Sequence, residues 1–378
     1  MIYLDNAATT YPKPEEMYTT NDYAQRNLAF NAGRGSYNLS KQATEKIDKC
    51  RKFLCSKSNA KSCLFTPSAT HSLNMIIRGL DLLENDIVYC SPYDHNAVVR
   101  TLYELSLINN FVVKEIALND DLSIDLDKFN YDCIKDKPKA IFCTHVSNVT
   151  GYVLPIKEMG EIAKKNHAIF IVDGAQSFGL IPVNLIKDNI DMFVFAGHKT
   201  LYGPFGIAGI LFRDSNISLK TSLFGGTGTD SLNTFMPNDD IIKYEPSSPN
   251  VVAISSLFAS SKWVFEKNVL SHEKKLTSYF INGIKELEDI IVYEVPNDDY
   301  CGIVSFNVRG FKSAEVAKIL ENDFDILVRS DFHCSPFIHK YIKSIDYLGT
   351  VRVSFSYFNT IKECDRLISA LEEIIYEF

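Results

Sequence analysis

The sequence lacks the features that mark membrane, secreted and nucleic-acid-binding proteins. No apolar run approaches the ~20 residues that a membrane-spanning helix needs. The first residues, MIYLDNAATT, contain no basic region followed by an apolar one, so no secretory signal is visible. The net charge of -8 and the pI near 5.6 argue against nucleic acid as the main partner. We therefore expect neither a membrane nor a nucleic acid among the partners.

Paired cysteines are also missing. The chain has nine cysteines, an odd number, with no CxxC pair and no spacing typical of a metal site, so we predict no bound metal. This usage indicates a reducing, cytoplasmic setting in which thiols stay free. Cys90 and Cys143 lie in apolar runs and are predicted to be small core residues.

The chain has the composition of an ordinary globular protein, with 46% hydrophobic and 23% charged residues. Its 378 residues correspond to about two or three domains. Up to about residue 250, short apolar strands alternate with helical segments; the strands are predicted at 87–90, 111–116, 140–146 and 168–174. This alternation predicts an α/β fold with a mostly parallel sheet, whose ligands sit beyond the carboxyl ends of the strands. A helical stretch over 251–288 then leads into a smaller α+β domain.

The chain is organised around Asp191 to Gly209, which reads DMFVFAGHKTLYGPFGIAG. The apolar run 192–196 is predicted to be a buried strand, and His198 and Lys199 follow it directly. A partly desolvated lysine has a lowered pKa and is a nucleophile for an aldehyde, which is the chemistry of a pyridoxal phosphate Schiff base. The alternative is a surface lysine in a loop, and this stretch alone does not separate the two.

Other polar residues follow neighbouring strands. Asp173 ends the apolar run of strand 168–174, Gln176 follows that strand, and Asn148 follows strand 140–146. A carboxylate there either keeps a pyridine nitrogen protonated or forms a plain ion pair. The segment TPSATHSLN (66–74) places hydroxyl residues before a helix, which suits either phosphate binding or a plain N-cap by Ser68 or Thr70. His95 is either a stacking partner for an aromatic ring or a surface histidine.

Taken together, the segments YLDNAATT, SAT, DHNAV, SNVTG, VDGAQS, GHKTLYGPFGIAG, RSDFHCSP and TVRVSFSYFNT resemble the class V aminotransferase family of fold type I pyridoxal phosphate enzymes. Within it, the chain is most similar to the SufS-like group of cysteine desulfurases, and the matches run in order from residue 3 to 360. The resemblance implies a large domain over 15–255 with a mostly parallel seven-stranded sheet. It also implies a small α+β domain, formed by 1–14 and 256–378, that carries the catalytic cysteine loop.

The resemblance assigns a cofactor role to each matching residue. Lys199 would carry the cofactor, Asp173 would pair with the pyridinium nitrogen, and His95 would stack on the ring and take part in catalysis. Gln176 and Asn148 would contact the phenolic oxygen, and the phosphate would be bound by Ala69, Thr70 and His198. The family builds its site across a homodimer, so GGTGTDS (225–231), most simply through Thr227, would contact the phosphate in the neighbouring subunit. Ala196 departs from the Ser or Thr of relatives, which removes one phosphate hydrogen bond.

Substrate chemistry is assigned to a second loop, VRSDFHCSPFIHK. Its polar composition predicts that Cys334 is the most exposed cysteine, with His333 able to shift its pKa or shuttle a proton. The RxxxHC pattern resembles the loop whose thiolate accepts sulfur as a persulfide, although Asp331 and Phe332 replace the usual Gly and His. An incidental loop cysteine is the alternative. By the same resemblance, the substrate carboxylate would be bound by Arg352, with Arg329 and Asn148 assisting.

These residues predict a cytoplasmic, homodimeric cysteine desulfurase that depends on pyridoxal phosphate and converts L-cysteine to L-alanine and a persulfide on Cys334. Three alternatives stay open: a selenocysteine lyase acting on L-selenocysteine, another class V aminotransferase or lyase, and a sulfur-relay scaffold whose turnover depends on a partner. A sulfur-acceptor protein is the expected macromolecular partner. The sequence does not specify whether the sulfur goes to iron–sulfur clusters, tRNA or selenium metabolism.

Overall fold

The structure is a computed structural model, and it describes residues 1–33, 35–214, 219–228, 231–237, 241–296 and 300–377. A sheet of seven strands forms its largest layer. The strands are β2 (Ser62–Thr66), β3 (Ile87–Cys90), β4 (Val112–Glu115), β5 (Ala140–Thr144), β6 (Ile169–Asp173), β7 (Met192–Ala196) and β8 (Ala208–Phe212). Their spatial order is β2-β8-β7-β6-β5-β3-β4, and only β8 pairs antiparallel with its neighbours. The predicted seven-stranded, mostly parallel sheet is therefore confirmed.

Helices cover both faces of this sheet. The helices that precede or alternate with its strands are α1 (Glu15–Asn27), α2 (Asn38–Ser58), α3 (Ala69–Gly79), α4 (Asn96–Asn109), α5 (Leu126–Asp136), α6 (Ile156–Lys165) and α7 (Val251–Glu266). Side chains of β7 alternate between two hydrophobic clusters, with Phe193 and Phe195 in one and Met192 and Val194 in the other. Because both faces are buried, the strand reads as a continuous apolar run.

The C-terminal part of the chain has its own sheet and core. Strands β9 (Ile290–Val292), β10 (Ile303–Val308) and β12 (Val351–Ser354) form an antiparallel sheet, and β1 (Ile2–Tyr3) pairs with β11 (Ile326–Leu327). The accompanying helices are α8 (Val269–Lys285), α9 (Ser313–Phe324), α10 (Ile338–Tyr341) and α11 (Ile361–Glu377). A separate hydrophobic cluster, which includes Phe280, Phe306 and Leu371, fills this part. The α+β character is confirmed, while the division at 14/15 and 255/256 stays a prediction.

Two elements differ from the sequence-based expectation. The stretch 251–288 is two helices instead of one, because Lys267 adopts an extended conformation (φ -101°, ψ 154°) that ends α7 before α8 begins. The segment DILVRS (325–330), which the sequence predicts as an element of the smaller domain, contributes a strand of only two residues, β11. After β11, the chain no longer pairs with β1, and Arg329 forms a bridge with Arg352 of β12. This crossing brings the two arginines together.

The fold places the predicted site at one edge of the large sheet. Thr144 of β5 pairs with Asp173 of β6, which in turn pairs with Val194 of β7, so the carboxyl ends of these three strands are level. The residues that follow each strand therefore meet at the same edge. Within the described part of the chain, no helix is both long and apolar enough to cross a membrane.

Candidate active site

A cavity of about 250 Å³ lies at this sheet edge. It is lined by ten of the residues that the sequence assigns to the cofactor or the substrate: Ala69, Thr70, His95, Asn148, Asp173, Gln176, His198, Lys199, Arg329 and Arg352. They come from five separate strand ends or helix starts and from two later segments. The fold thus brings this set together, and their individual roles stay predictions.

Lys199 is placed three residues beyond the end of β7. Burial lowers the pKa of its amine to about 8; the Asp173 carboxylate acts in the opposite direction, and the charges of Arg352 and Arg329 lower the pKa further. A lysine with this pKa exists partly as the neutral amine near pH 7 to 8, which is the nucleophilic form. The site therefore contains an amine able to attack an aldehyde.

Asp173 ends β6 and is 7% exposed. Its Oδ1 accepts a hydrogen bond of 3.0 Å from the N–H of Ala175. Burial raises the pKa of this carboxyl, while that hydrogen bond and the charge of Lys199 lower it. Among the residues that the structure describes, no arginine or lysine is hydrogen-bonded to this carboxylate, so it is suited to a cationic ring nitrogen, and this fits the pyridinium partner that the sequence predicts.

His95 is the N-cap of α4, and its Nδ1 accepts a hydrogen bond of 3.0 Å from the N–H of Ala97. Burial lowers the pKa of His95 to about 3, and the charge of Lys199 lowers it further. The imidazole is therefore neutral, and because Nδ1 accepts, the proton lies on Nε2. A neutral flat ring that lines the cavity is suited to stack on an aromatic cofactor.

The start of α3 forms an anion-binding end of the cavity. Oγ of Ser68 accepts a hydrogen bond from the N–H of His71, which confirms the expected N-cap. His198 adds a buried Nδ1 that has no hydrogen-bond partner among the described residues, and its ring stacks on Phe205 at 4.7 Å. Open N–H groups of a first helical turn and an orphaned ring nitrogen fit a phosphate group.

Of the two arginines that line the cavity, Arg329 and Arg352, Arg352 is the more deeply buried, with 1% of its surface exposed. Its Nη1 donates to the carbonyl oxygen of Asn148 at 2.8 Å, and its Nη2 donates to Oδ1 of Asp5 at 2.6 Å. The Nε atom is buried and has no partner among the described residues. The guanidinium thus keeps donor capacity for an anionic ligand.

Cys334 lines an open groove of about 700 Å³. Arg329 and His333 line both this groove and the cavity. Nη2 of Arg329 lies 3.6 Å from Sγ of Cys334. The cysteine therefore stands at the boundary between the cavity and the outer surface. Cys334 and Cys55 are both partly exposed, and the other seven cysteines are buried.

The loop that carries Cys334 has an unusual backbone. Asp331, His333 and Cys334 all have positive φ values, of 88°, 47° and 59°. Conformations of this kind cost about 1–3 kcal/mol per residue and persist where surrounding contacts impose them. Here the N–H of Asn96 donates to the carbonyl oxygen of Cys334 at 2.6 Å. The strained backbone therefore includes the residue that carries the thiol, Cys334.

Asn148 and His333 hold this loop from inside. Nδ2 of Asn148 donates to the carbonyl oxygen of His333 at 2.7 Å, and its Oδ1 accepts from Oγ of Ser335 at 2.7 Å. Nε2 of His333 lies 2.8 Å from Oγ1 of Thr350. The amide predicted to address the cofactor is thus engaged with the cysteine loop, and the histidine expected beside the thiol is a buried anchor.

Gln176 lines the cavity but its amide contacts the N-terminal segment, and Thr227 lies at a different cavity. Nε2 of Gln176 donates to the carbonyl oxygen of Ala7 at 2.8 Å, so the N-terminal segment reaches the cavity. Thr227 lines a different cavity of about 480 Å³, and residues 229–230 of its segment lie outside the described residues. The sequence analysis assigned residues 1–14 to the small domain, and nothing local in YLDNAATTYPKP indicates which strand ends this segment contacts.

Comparisons with known proteins agree with this geometry. The family model described as aminotransferase class-V matches residues 2–367. A protein of Pyrococcus abyssi named probable cysteine desulfurase is 32% identical, covering 99% of this chain and 94% of the relative. A protein of Haloferax volcanii named cysteine desulfurase is 29% identical, with coverages of 98% and 89%. The apo structure of a cysteine desulfurase from Thermococcus onnurineus superposes with a TM-score of 0.92 at 30% identity and covers 100% of this chain and 95% of that one. The chain belongs to the class-V aminotransferase family.

Proposed function

We propose that the protein is a pyridoxal phosphate-dependent cysteine desulfurase, which converts L-cysteine to L-alanine and transfers the sulfur to Cys334. The observation that carries the proposal is the position of Cys334 beside Arg329, at the boundary between a lysine–carboxylate cavity and an open groove. A cysteine that reaches both can take sulfur on one side and release it on the other. An aminotransferase would not need this thiol.

The residues of the cavity fit pyridoxal phosphate. Its phosphate would be held by the first turn of α3 and by the orphaned Nδ1 of His198, and its ring would lie against His95 with Asp173 at the ring nitrogen. Bound there, the cofactor supplies an electron-withdrawing ring that stabilises negative charge at the substrate Cα. Ala196 offers no hydroxyl to the phosphate, so α3 and His198 carry that task.

The side chains of this chain perform the remaining chemistry. Arg352, with its free Nε, binds the carboxylate of L-cysteine. Lys199, whose pKa burial lowers to about 8, moves protons at the substrate carbon. The thiolate of Cys334 attacks the substrate sulfur: the new S–S bond forms as the Cβ–S bond breaks, the electron pair passes to carbon, and that carbon takes a proton to give alanine.

We further propose a homodimer that passes its sulfur to an acceptor protein in the cytoplasm. Four large apolar side chains in 223–235 are strongly exposed in the single chain: Leu223 (45%), Phe224 (72%), Leu232 (99%) and Phe235 (82%). They flank Thr227 and support burial against a second copy. The groove at Cys334 is open enough for an acceptor thiol. No disulfide joins the nine cysteines, all of which lie in the described residues, and this suits a reducing compartment.

Mass spectrometry of the purified protein after incubation with L-cysteine tests the proposal. We expect a mass increase of one sulfur atom on the peptide containing Cys334, with alanine released in equal amount. Cys55 is the internal control, because it is the other partly exposed thiol and lies on α2. Alanine formed without a persulfide on Cys334 would instead support a lyase. Light scattering tests the dimer, which a monomer with full cofactor and activity would contradict.

A further inference from the structure

Lys13 is an unexpected cation next to the catalytic lysine. It lies in the N-terminal segment, one residue before the proline that caps α1, and its side chain is largely removed from water. Burial lowers the pKa of its amine to about 7, and no carboxylate of the described residues offsets this effect. A buried cation without an anionic partner costs stability, so contacts that need it must explain its presence.

Those contacts converge on one peptide group. Nζ of Lys13 donates to the carbonyl oxygen of His198 at 2.8 Å and to Oγ1 of Thr10 at 2.7 Å. The same carbonyl also accepts from Oγ1 of Thr9 at 3.0 Å and from the N–H of Thr10 at 3.2 Å. Oγ1 of Thr10 lies 3.2 Å from the carbonyl oxygen of Lys199 as well. The N-terminal segment therefore binds the backbone of the residue pair that enters the cavity.

The geometry connects this clamp to the chemistry. The carbonyl of His198 is bonded directly to the backbone nitrogen of Lys199, so its position sets the origin and direction of the lysine side chain. Lys13 itself does not line the cavity. In its protonated form, Lys13 makes a charge-assisted hydrogen bond, which is about twice as strong as a neutral one.

We propose that Lys13 is a positioning residue, whose ammonium fixes the His198–Lys199 peptide and so aims both side chains at the cofactor. The proposal rests on the proposed function only for its kinetic readout. A purely structural role differs from this: it would affect the stability of the whole chain, and amide exchange in residues 197–203 would change no more than exchange elsewhere.

Lys13→Met removes the charge and the donors while keeping the length of the side chain. Lys13→Arg keeps the charge and the hydrogen-bond donors. Lys139→Met is the control, because Nζ of Lys139 also donates to a backbone carbonyl away from the cavity, that of Asp81 at 2.8 Å, although it forms an ion pair with Asp86 as well. Amide hydrogen exchange in the cofactor-free proteins measures the clamp directly. We expect exchange in 197–203 to rise roughly tenfold in Lys13→Met alone, with exchange in α3 unchanged.

In the holoenzyme, we expect Lys13→Met to lower kcat roughly tenfold or more with KM for L-cysteine unchanged, since misplaced catalytic groups reduce rate before binding. Lys13→Arg should recover most of the rate. Unchanged exchange in 197–203, or a loss equal to that of Lys139→Met, would overturn the proposal. If Lys13→Met does not fold, Thr10→Val tests the same carbonyl, and unchanged exchange there overturns it equally. Absence of a persulfide on wild-type Cys334 would count against the proposed function and leave the exchange result standing.

Discussion

Nη2 of Arg352 donates a hydrogen bond of 2.6 Å to Oδ1 of Asp5, so opposite ends of the chain meet in the predicted substrate site. Arg352 is 1% exposed, and the Asp5 side chain is 23% exposed. Removal of one partner of a buried ion pair leaves the other charge uncompensated. The pair therefore keeps the guanidinium in place before a substrate carboxylate arrives.

We expect Asp5→Ala to lower the free energy of unfolding by about 3 kcal/mol, because Arg352 would lose its counter-charge within the fold. Urea denaturation of the cofactor-free protein measures this. Asp22→Ala is the control, since Asp22 and Arg26 form an exposed pair with side chains that are 65% and 73% exposed. Equal losses in the two variants would show that the buried pair contributes no more than a surface one.

The pKa of Lys199 predicts how the cofactor-free protein takes up pyridoxal phosphate. Only the neutral amine reacts with the aldehyde, and burial lowers the pKa of Lys199 to about 8. The loading rate should therefore rise with pH and level off once the pH passes about 8. Stopped-flow absorbance follows the reaction, and borohydride reduction followed by peptide mapping identifies the lysine. Lys199→Arg should show no covalent loading, and a rate independent of pH would contradict the assignment.

Asp173→Asn tests the carboxylate at the ring nitrogen. Asparagine keeps the size of the side chain and an oxygen that can accept from Ala175, so the cofactor should still bind. We expect kcat to fall about 10²-fold or more, in line with removal of an electrostatic contact to the reacting system. Since Asp173 raises the pKa of Lys199, the loading midpoint should also move below about pH 8.

Asp191→Asn is the matched control for that change. Asp191 is another buried carboxylate at a strand terminus, and its Oδ2 accepts from the N–H of Phe170 at 2.8 Å. It lies directly before β7, whereas the cavity is at the other end of that strand. It should leave kcat per bound cofactor close to wild type. A similar loss of kcat in both variants would indicate a general effect of removing buried charge.

Much of this site could be predicted because its signals are local. The run 192–196 is apolar at every position, and it is a strand with the same bounds in the structure. Parallel strands align their carboxyl ends, so Asp173 and Lys199 had to share an edge. The N-cap at Ser68 likewise follows from a hydroxyl residue directly before a helical run.

The contacts that sequence reasoning missed are long-range. Asp5 and Arg352 are separated by 347 positions, and Lys13 and His198 by 185. No local pattern pairs such residues, since the pairing depends on how β1 joins the C-terminal part of the chain. The contact of Asn148 with the cysteine loop could not be predicted for a similar reason: its amide meets residues 333–335, which its own segment cannot indicate.

Gly349→Ala probes the strained cysteine loop without touching it. Gly349 has φ +101°, and an added Cβ would lie 2.3 Å from the backbone carbonyl of Asp331, so the loop must shift. We expect the rate of persulfide formation to fall roughly tenfold, as for other small displacements of reacting groups, with cofactor content unchanged. Gly310→Ala is the control, because its φ is +85° but nothing lies within 4 Å of the added atom. An equal effect of both would assign the loss to backbone strain alone.

Cys334→Ser addresses the sulfur-transfer step itself. The variant should bind pyridoxal phosphate and L-cysteine normally, because Lys199, Asp173 and Arg352 are intact. A hydroxyl is barely ionised at neutral pH and forms no stable bond to sulfur, so only the transfer should fail. We expect alanine production to fall about 10²-fold or more, measured as alanine released per bound cofactor.

Cys55→Ser separates this effect from a general loss of thiols. Cys55 is the other partly exposed cysteine, and burial raises the pKa of its thiol to about 11, which leaves little thiolate to react. It should retain wild-type alanine production and a persulfide on Cys334. If Cys334→Ser instead released alanine at the wild-type rate, the sulfur would leave the substrate without an enzyme acceptor. The groove beside Arg329 would then serve access to the cavity, and the chemistry would be that of a lyase.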